Sequence, residues 1–328
     1  MPNSKLELSL ACGPYDRMEA LQTGEVTPEG IDLKFLALKS PREIFDRVAS
    51  GEGFDVAEFS SSEHIASTAA GTSTHVALPV FPSRVFRHGF IVVNKRSGIK
   101  TPKDLAGKRI GVPLYTMTAA VWIRGMLRDD HGVDLSNVTW VQGAVEKAGS
   151  HGDPKAPPLL APIKLEINRS PHSLDDLLQK GEIDAILGAL LPPSLGHNPD
   201  IVRLFPDHRA REREYYLRTG FHPIMHLIVI RKPVFEANPW IAKPLYRAFA
   251  ESKRRAWETI GWSGAHKVML PWVLDEVAHT EEVFGGEPFA YGLERNRRTL
   301  ETMVGYLEAD HMIARRPSLA ELFADVGE

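Results

Sequence analysis

Two short stretches hold the residues of this chain whose types and spacing suit chemistry. In PVFPSRVFRHGFIVVN, from Pro79 to Asn94, Arg84, Arg87 and His88 come just before the apolar β-run Phe90 to Val93. Two guanidiniums that keep their charge, beside an imidazole that can lose its own, suit an anionic substrate and proton-transfer chemistry. In HPIMHLIVIRK, from His222 to Lys232, His226 heads a second apolar run. Either stretch alone reads equally well as a core strand with a basic flank. Their occurrence together, within the organisation below, favours a functional reading.

Short β-like runs alternate with helical segments, the pattern of an α/β protein. Leu6 to Ala11 reads as a first strand closed by Gly13-Pro14, and Ile31 to Leu36 as a second. Ser40, Pro41 and Glu43 start a helix as cap, first residue and capping box. Its stripe is Ile44, Phe45 and Val48, and Gly51 and Gly53 end it before the strand Phe54 to Phe59. A like cassette follows about 130 residues later. There Ser173 caps, Asp176 takes the third helical position, Gly181 stops the helix, and Ile183 to Leu187 is the strand. SGEGFDVAEF and KGEIDAILGA share a helix stop, Gly-Glu and an Asp leading into a strand. Between the cassettes, Arg109 to Val112 reads as a strand and Thr116 to Arg128 as a helix; 149–162, rich in Gly, Pro and Ala, reads as a surface loop. The C-terminal third has helical composition. Chain order therefore suggests one lobe from 1–94 plus 224–328 and another from 95–223, with the two histidine-bearing strands as crossings.

In open α/β sheets, ligands sit beyond the carboxyl ends of the strands. This selects Tyr15, Asp16 and Arg17 after the first strand, Glu58, Ser60 and His64 around the end of the third, and Arg84, Arg87 and His88 after the fourth. In the second lobe it selects Tyr115, Thr116 and Thr118, at a strand-to-helix turn whose free N–H groups suit a carboxylate. Each has a plainer reading. Glu58 is either a general acid with a raised pKa or the partner of an arginine. Arg17 reaches a ligand or pairs with Asp16 or a helix end. Ser60 to Ser62 and Thr116 to Thr118 are ligand donors or helix caps. His222 and His226 have i,i+4 spacing, but Pro223 lies between them and the run that follows is β-like. Four strand residues span about 13 Å, too far for one ion. No metal and no cofactor are expected.

With 328 residues, two domains are the first expectation; 43% hydrophobic and 25% charged residues are the composition of a globular protein. A net charge of −3 gives no reason to expect nucleic acid, and Lys253, Arg254 and Arg255 read as the solvated face of a helix. One cysteine, Cys12, excludes an internal disulfide or a cysteine-rich metal site. The apolar run near the start is broken by Glu7, too short for a signal-peptide core, and no apolar segment approaches the ~20 residues that span a bilayer. A cytoplasmic protein, off the membrane, is expected. The helical C-terminal third offers surface for a homo-oligomer.

The layout resembles the type II periplasmic-binding-protein fold, two α/β lobes with two crossover strands, a ligand cleft between them and a helical C-terminal segment. More narrowly, the chain resembles the 4,5-dihydroxyphthalate decarboxylase family. The matching stretches are GPYDRMEAL, DVAEFSSSEHI, PVFPSRVFRHGFIVVN, RIGVPLYTMTAAVWIRGML, FHPIMHLIVIRK, PFAYGLERNRRTLE and ARRPSLAELF, from about residue 6 to 324. Leu114 and Thr116 stand where the family often has glutamate and glutamine. The resemblance implies loss of one carboxylate from a small dihydroxylated aromatic diacid, leaving protocatechuate and CO2. His88, His226 and Glu58 are then the catalytic candidates. Arg84, Arg87, Ser60, His64, Tyr115, Thr116, Thr118, His222 and Arg17 are the substrate-binding candidates. A non-catalytic carboxylate-binding protein and a chorismate-dehydratase-like lyase are the competing expectations on this fold.

Overall fold

In the computed structural model, which describes residues 5–50, 53–152 and 156–327, eleven strands form two sheets among these residues. In chain order they are β1 (Leu6–Cys12), β2 (Ile31–Ala37), β3 (Val56–Ser60), β4 (His75–Arg84), β5 (Ile91–Asn94), β6 (Arg109–Val112), β7 (Thr139–Gln142), β8 (Leu165–Ile167), β9 (Ala185–Leu187), β10 (Ile201–Arg203) and β11 (Ile224–Arg231). The first sheet has the order β2-β1-β3-β11-β4 and the second β10-β5-β9-β6-β7-β8. Read from β7 to β10, the second repeats the first position for position, with β8 as an added edge. In each, one strand runs antiparallel to both neighbours: β11 between β3 and β4, and β5 between β9 and β10. The two Gly-Glu cassettes lead into β3 and β9, which hold the same place in their sheets. Gly51 and Glu52 themselves lie outside the described residues.

One unit runs to Arg84 and resumes at Ile224–Leu300 and Pro317; the other comprises Val85–Pro223 and Glu301–Arg316. Thus β5 is the first strand after the chain leaves the first unit, and β11 the first after it returns. The sequence divides the chain after residue 94 and keeps the whole C-terminal third with the first lobe; the contacts place the division at Arg84 and move residues 301–316 to the second unit. Residues 301–316 join the second unit through specific contacts. Tyr306 meets Trp122 edge to face with centroids 5.5 Å apart, and a Cβ on Gly125 would stand 2.2 Å from the Tyr306 ring. Arg124 and Arg128 both reach Asp310.

Caps set the helix starts. Ser40 Oγ accepts the Glu43 N–H ahead of the helix Pro41–Ala49, and Ser173 and Asp176 form a reciprocal capping box before Leu174–Lys180. The helix read over 116–128 runs Thr118–His131, closed by Gly132 in the left-handed region. His88 lies in a single 3-10 turn, His88–Phe90, ahead of β5 rather than on the strand. Residues 149–152 and 156–162 are irregular, as read; 153–155 lie outside the described residues.

Lys253 corrects the reading of a solvated basic face. On the helix Ala242–Gly261 it sits four residues after buried Phe249, so it borders the apolar stripe. Its Nζ donates to Glu287 at 2.6 Å and to the Phe289 carbonyl at 2.8 Å. Arg254 and Arg255 are exposed and pair with Glu251. Among the described residues, no helix is long and apolar enough to cross a membrane.

Candidate active site

Two prolines shape the first unit's sheet where β4 meets β11. Pro79 and Pro82 cannot donate to a ladder, and the β4–β11 register shifts on either side of His226. Carbonyls freed there recruit other segments: Pro79 accepts the Gly292 N–H at 2.9 Å, and Pro82 accepts Arg17 Nε at 2.6 Å. On its other side His226 stands opposite Ser60, and Glu58 is opposite Ile228, two residues further along. Side chains two apart on a strand share a face, so Glu58 is the diagonal neighbour of His226.

Glu58 is fully buried and accepts four hydrogen bonds. His226 Nδ1 lies at 2.6 Å and the Tyr15 hydroxyl at 2.7 Å from Oε1; the Gly13 N–H at 2.9 Å and the Cys12 thiol at 3.5 Å reach Oε2. Burial pushes its pKa up, but the His226 bond and charge, the Gly13 amide and the Tyr15 hydroxyl outweigh that and hold it below the usual carboxylate range. Glu58 is therefore an ionised acceptor whose partner is a histidine; neither a raised-pKa acid nor an arginine partner describes it. Because a carboxylate only accepts, His226 carries its proton on Nδ1, and Nε2 is the nitrogen available to a ligand. Phe45 meets the His226 ring edge to face at 4.9 Å. Burial, then the Glu58 charge, raises the Cys12 thiol and the Tyr15 phenol, keeping both as donors. Gly13 must be glycine: a Cβ there would stand 2.7 Å from the Tyr15 ring.

Around this pair lie cationic and phenolic groups. The Arg17 guanidinium is sandwiched between the rings of Tyr15, at 4.2 Å, and Phe289, at 4.4 Å, and pairs with Asp16 at 3.0 Å. Buried Arg84 donates to the Ala290 carbonyl at 2.6 Å and to the Asn296 side chain. Between those two residues, Tyr291 is buried under the Lys253 ammonium, 4.2 Å from its centroid. Its hydroxyl has no hydrogen-bond partner among the described residues. Burial raises that phenol's pKa, opposed by the charge of Arg17. Ser60 Oγ is 3.2 Å from Ser62 Oγ. His64 is a core residue: Nε2 is 3.0 Å from the Leu322 carbonyl, and burial holds its pKa to about 4.

The remaining candidates belong to the second unit. His88 is buried against the edges of Phe205 and Tyr215, with centroids 5.6 and 5.2 Å away. Its Nδ1 is 3.9 Å from Glu212, and burial, then the charges of His131, Arg211, Arg218 and His208, brings its pKa to about 4. Buried Arg87 stacks on Phe90 at 4.7 Å; burial lowers its pKa to about 9 against the Glu212 charge, so it stays cationic at neutral pH. His222 stacks on Phe86 at 4.6 Å. The Tyr115 N–H donates to Gln142 at 2.9 Å while its ring lies under the Arg124 guanidinium at 3.8 Å; Thr116 and Thr118 are buried at the start of Thr118–His131. Among the described residues no three His, Cys, Asp or Glu side chains converge as metal ligands.

Comparison with known proteins joins this geometry to a family. The chain is 38% identical over 327 residues to the protein named 4,5-dihydroxyphthalate decarboxylase of Comamonas testosteroni, covering 98% of this chain and 97% of that one. This chain belongs to the 4,5-dihydroxyphthalate decarboxylase family. The protein of the same name from Pseudomonas putida is 41% identical over 217 residues, 65% of this chain and 82% of that one. Residues 24–150 also match the family model described as NMT1/THI5 like. The periplasmic aliphatic sulphonate binding protein SsuA of Escherichia coli superposes with a TM-score of 0.53 over 98% of both chains at 12% identity, which bears out the binding-protein fold. For this decarboxylase-family member, sequence reasoning named Tyr15 as a strand-end residue without linking it to Glu58, and it missed Tyr291. The signal for Tyr291 was its place in PFAYGLERNRRTLE, one of the family-matching stretches.

Proposed function

We propose that this chain removes one carboxylate from 4,5-dihydroxyphthalate without oxidation, giving protocatechuate and CO2, with His226 and Glu58 as its proton-transfer pair. The observation that carries the reading is the 2.6 Å contact between His226 Nδ1 and a carboxylate buried among three further donors. Direct cleavage of the aryl–CO2 bond would leave an aryl carbanion. Removing the proton from the hydroxyl para to the departing carboxylate pushes charge onto the carbon that bears it. That carbon takes up a proton supplied by solvent, the C–CO2 bond breaks, its electron pair restores the aromatic ring and the para phenolate, and the phenolate takes its proton back from His226. Nε2 of His226 is the base at the hydroxyl, and Glu58 stabilises the imidazolium that forms. Arg17, held between the rings of Tyr15 and Phe289, supplies a cation for a substrate carboxylate. Ser60, opposite His226, is a neighbouring hydroxyl donor. Arg84 fixes the segment that presents Tyr291. His88 has no proton-transfer role in this reading.

The test is turnover of 4,5-dihydroxyphthalate by the purified protein in D2O. One CO2 per substrate, and protocatechuate with a single deuterium at the carbon that lost the carboxylate, is the expected result. Tight binding of the diacid with no CO2 released would replace this reading with that of a binding protein.

A further inference from the structure

Glu58 Oε1 holds two donors, and the proposed reaction uses only one of them. His226 Nδ1 stands 2.6 Å from this oxygen and the Tyr15 hydroxyl 2.7 Å from it, whereas Oε2 takes the Gly13 amide and the Cys12 thiol. The phenol reaches Oε1 because its backbone is fixed on both sides. The Tyr15 N–H donates to the Gly13 carbonyl at 2.8 Å, and the Tyr15 carbonyl accepts the Met18 N–H at 3.0 Å. The ring is fixed as well. It lies against Gly13, where a Cβ would stand 2.7 Å away, and under the Arg17 guanidinium at 4.2 Å. Burial, then the Glu58 charge, keeps the phenol protonated, so towards Glu58 it acts only as a donor.

Two donors on one carboxylate oxygen compete for its charge. Hydrogen bonds that share a group polarise one another by about 10–30%, and here the effects oppose: each donor leaves the oxygen a weaker acceptor for the other. For a charge-assisted bond, that changes the proton affinity of the imidazole by about 1.5-fold to fivefold. The other charged or titratable groups around the pair are engaged elsewhere. Cys12 is on Oε2, and Arg17 pairs with Asp16 at 3.0 Å. From the helix Pro41–Ala49, Phe45 meets the His226 ring, and Arg42, 5.5 Å from the Phe45 centroid, pairs with Asp46 at 2.8 Å and Glu63 at 3.4 Å. On its other side β4 sets uncharged Ser83 opposite His226. We infer that Tyr15 is a positioning residue that holds down the proton affinity of His226 through their shared oxygen on Glu58; its bearing on decarboxylation rests on the reading of His226 as the base.

The experiment reads His226 directly, by NMR titration of the whole protein without substrate. With histidine labelled by carbon-13 at Cε1, the His226 resonance is the one lost in His226→Gln. Its titration is followed in the parent, in Tyr15→Phe and in protein with Tyr15 replaced by 3-fluorotyrosine. Tyr15→Phe removes the competing donor, so the ring should titrate about 0.2–0.7 pH higher than in the parent. Fluorine makes the phenol a stronger donor, so the 3-fluorotyrosine protein should titrate lower than the parent. The acid limb of kcat/KM for decarboxylation should move in the same order. A ring titration that moves by less than about 0.1 pH in both proteins, or in the same direction in both, overturns the proposal. So does a fall in kcat with the titration unmoved, which makes Tyr15 merely structural. Ring titrations that part in the expected directions while the kcat/KM limb stays fixed uphold Tyr15's role and overturn instead the reading of His226 as the base.

Discussion

His226 and His88 occupy nearly the same sequence setting, each just ahead of an apolar β-run in a like-built sheet, yet their surroundings differ in kind. His226 has a fully buried, ionised carboxylate on Nδ1 and keeps partial access to solvent, with 18% of its side chain exposed. His88 has aromatic edges on two sides and a glutamate at 3.9 Å whose own carboxyl is raised by burial. The first environment gives the ring a charged hydrogen-bond acceptor; the second gives none in hydrogen-bond reach and disfavours the charged form of His88. Proximity to a β-run therefore does not by itself give a histidine a hydrogen-bonded carboxylate. What matters is whether a neighbouring strand delivers a charge within hydrogen-bond reach.

The largest effect should come from exchanging each histidine for glutamine. His226→Gln is expected to lower kcat by about 10²–10⁴-fold, the usual cost of losing a general acid or base. His88→Gln, corrected for folded fraction, should stay within about threefold of the parent. Equal losses in the two variants would erase the distinction, and a loss in His88→Gln alone would reverse it.

A smaller effect is expected at Glu58. Glu58→Gln should cost about tenfold to a hundredfold in kcat with little change in KM, because an amide still accepts from Nδ1 but cannot stabilise the imidazolium. The new NH2 would also face the Gly13 amide or the Tyr15 hydroxyl, so some stability should be lost. Glu58→Asp keeps the charge and should recover part of kcat. If Glu58→Gln turns over like the parent, the carboxylate is only a packing partner of His226.

The smallest expected effect is on stability and sharpens the comparison through pH. His88, like His64, has a folded pKa of about 4, below the ordinary histidine value of about 6.5. Between those values the unfolded chain binds a proton that the folded chain refuses, so stability falls as pH drops from 6.5 towards 4. The full linkage is at most about 3 kcal/mol per histidine. Glu58 acts in a lower window, its depressed folded pKa giving stability that is present above about 4.3 and lost below it. Denaturant midpoints at pH 7 and pH 5 should therefore differ in the parent and differ less in His88→Gln, where His64 and His75, both lowered to about 4 by burial, still contribute, while Glu58→Gln keeps the parent's difference. A parent midpoint that does not move between these pH values would mean that His88 is not held neutral by its surroundings.

Much of the fold was legible locally. Strand starts, the caps at Ser40 and Ser173, and the recurrence of Gly-Glu ahead of β3 and β9 are short-range features set by backbone donors, turn residues and apolar periodicity. The identity of Glu58, His226 and Arg17 as candidates also followed from strand ends alone. Their relation did not. Glu58 and His226 are 168 positions apart, and only the antiparallel pairing of β3 with β11 makes them diagonal neighbours. Lys253 shows the same limit, since helix position assigns it a border and only tertiary packing decides that it turns inward to Glu287 and Tyr291. The sequence by itself determined the elements, the family resemblance and the stock of titratable groups. The tertiary structure alone decided which histidine is hydrogen-bonded to a carboxylate, because such a bond needs the two side chains within about 3 Å, and that distance is set by strand order and register rather than by residue spacing.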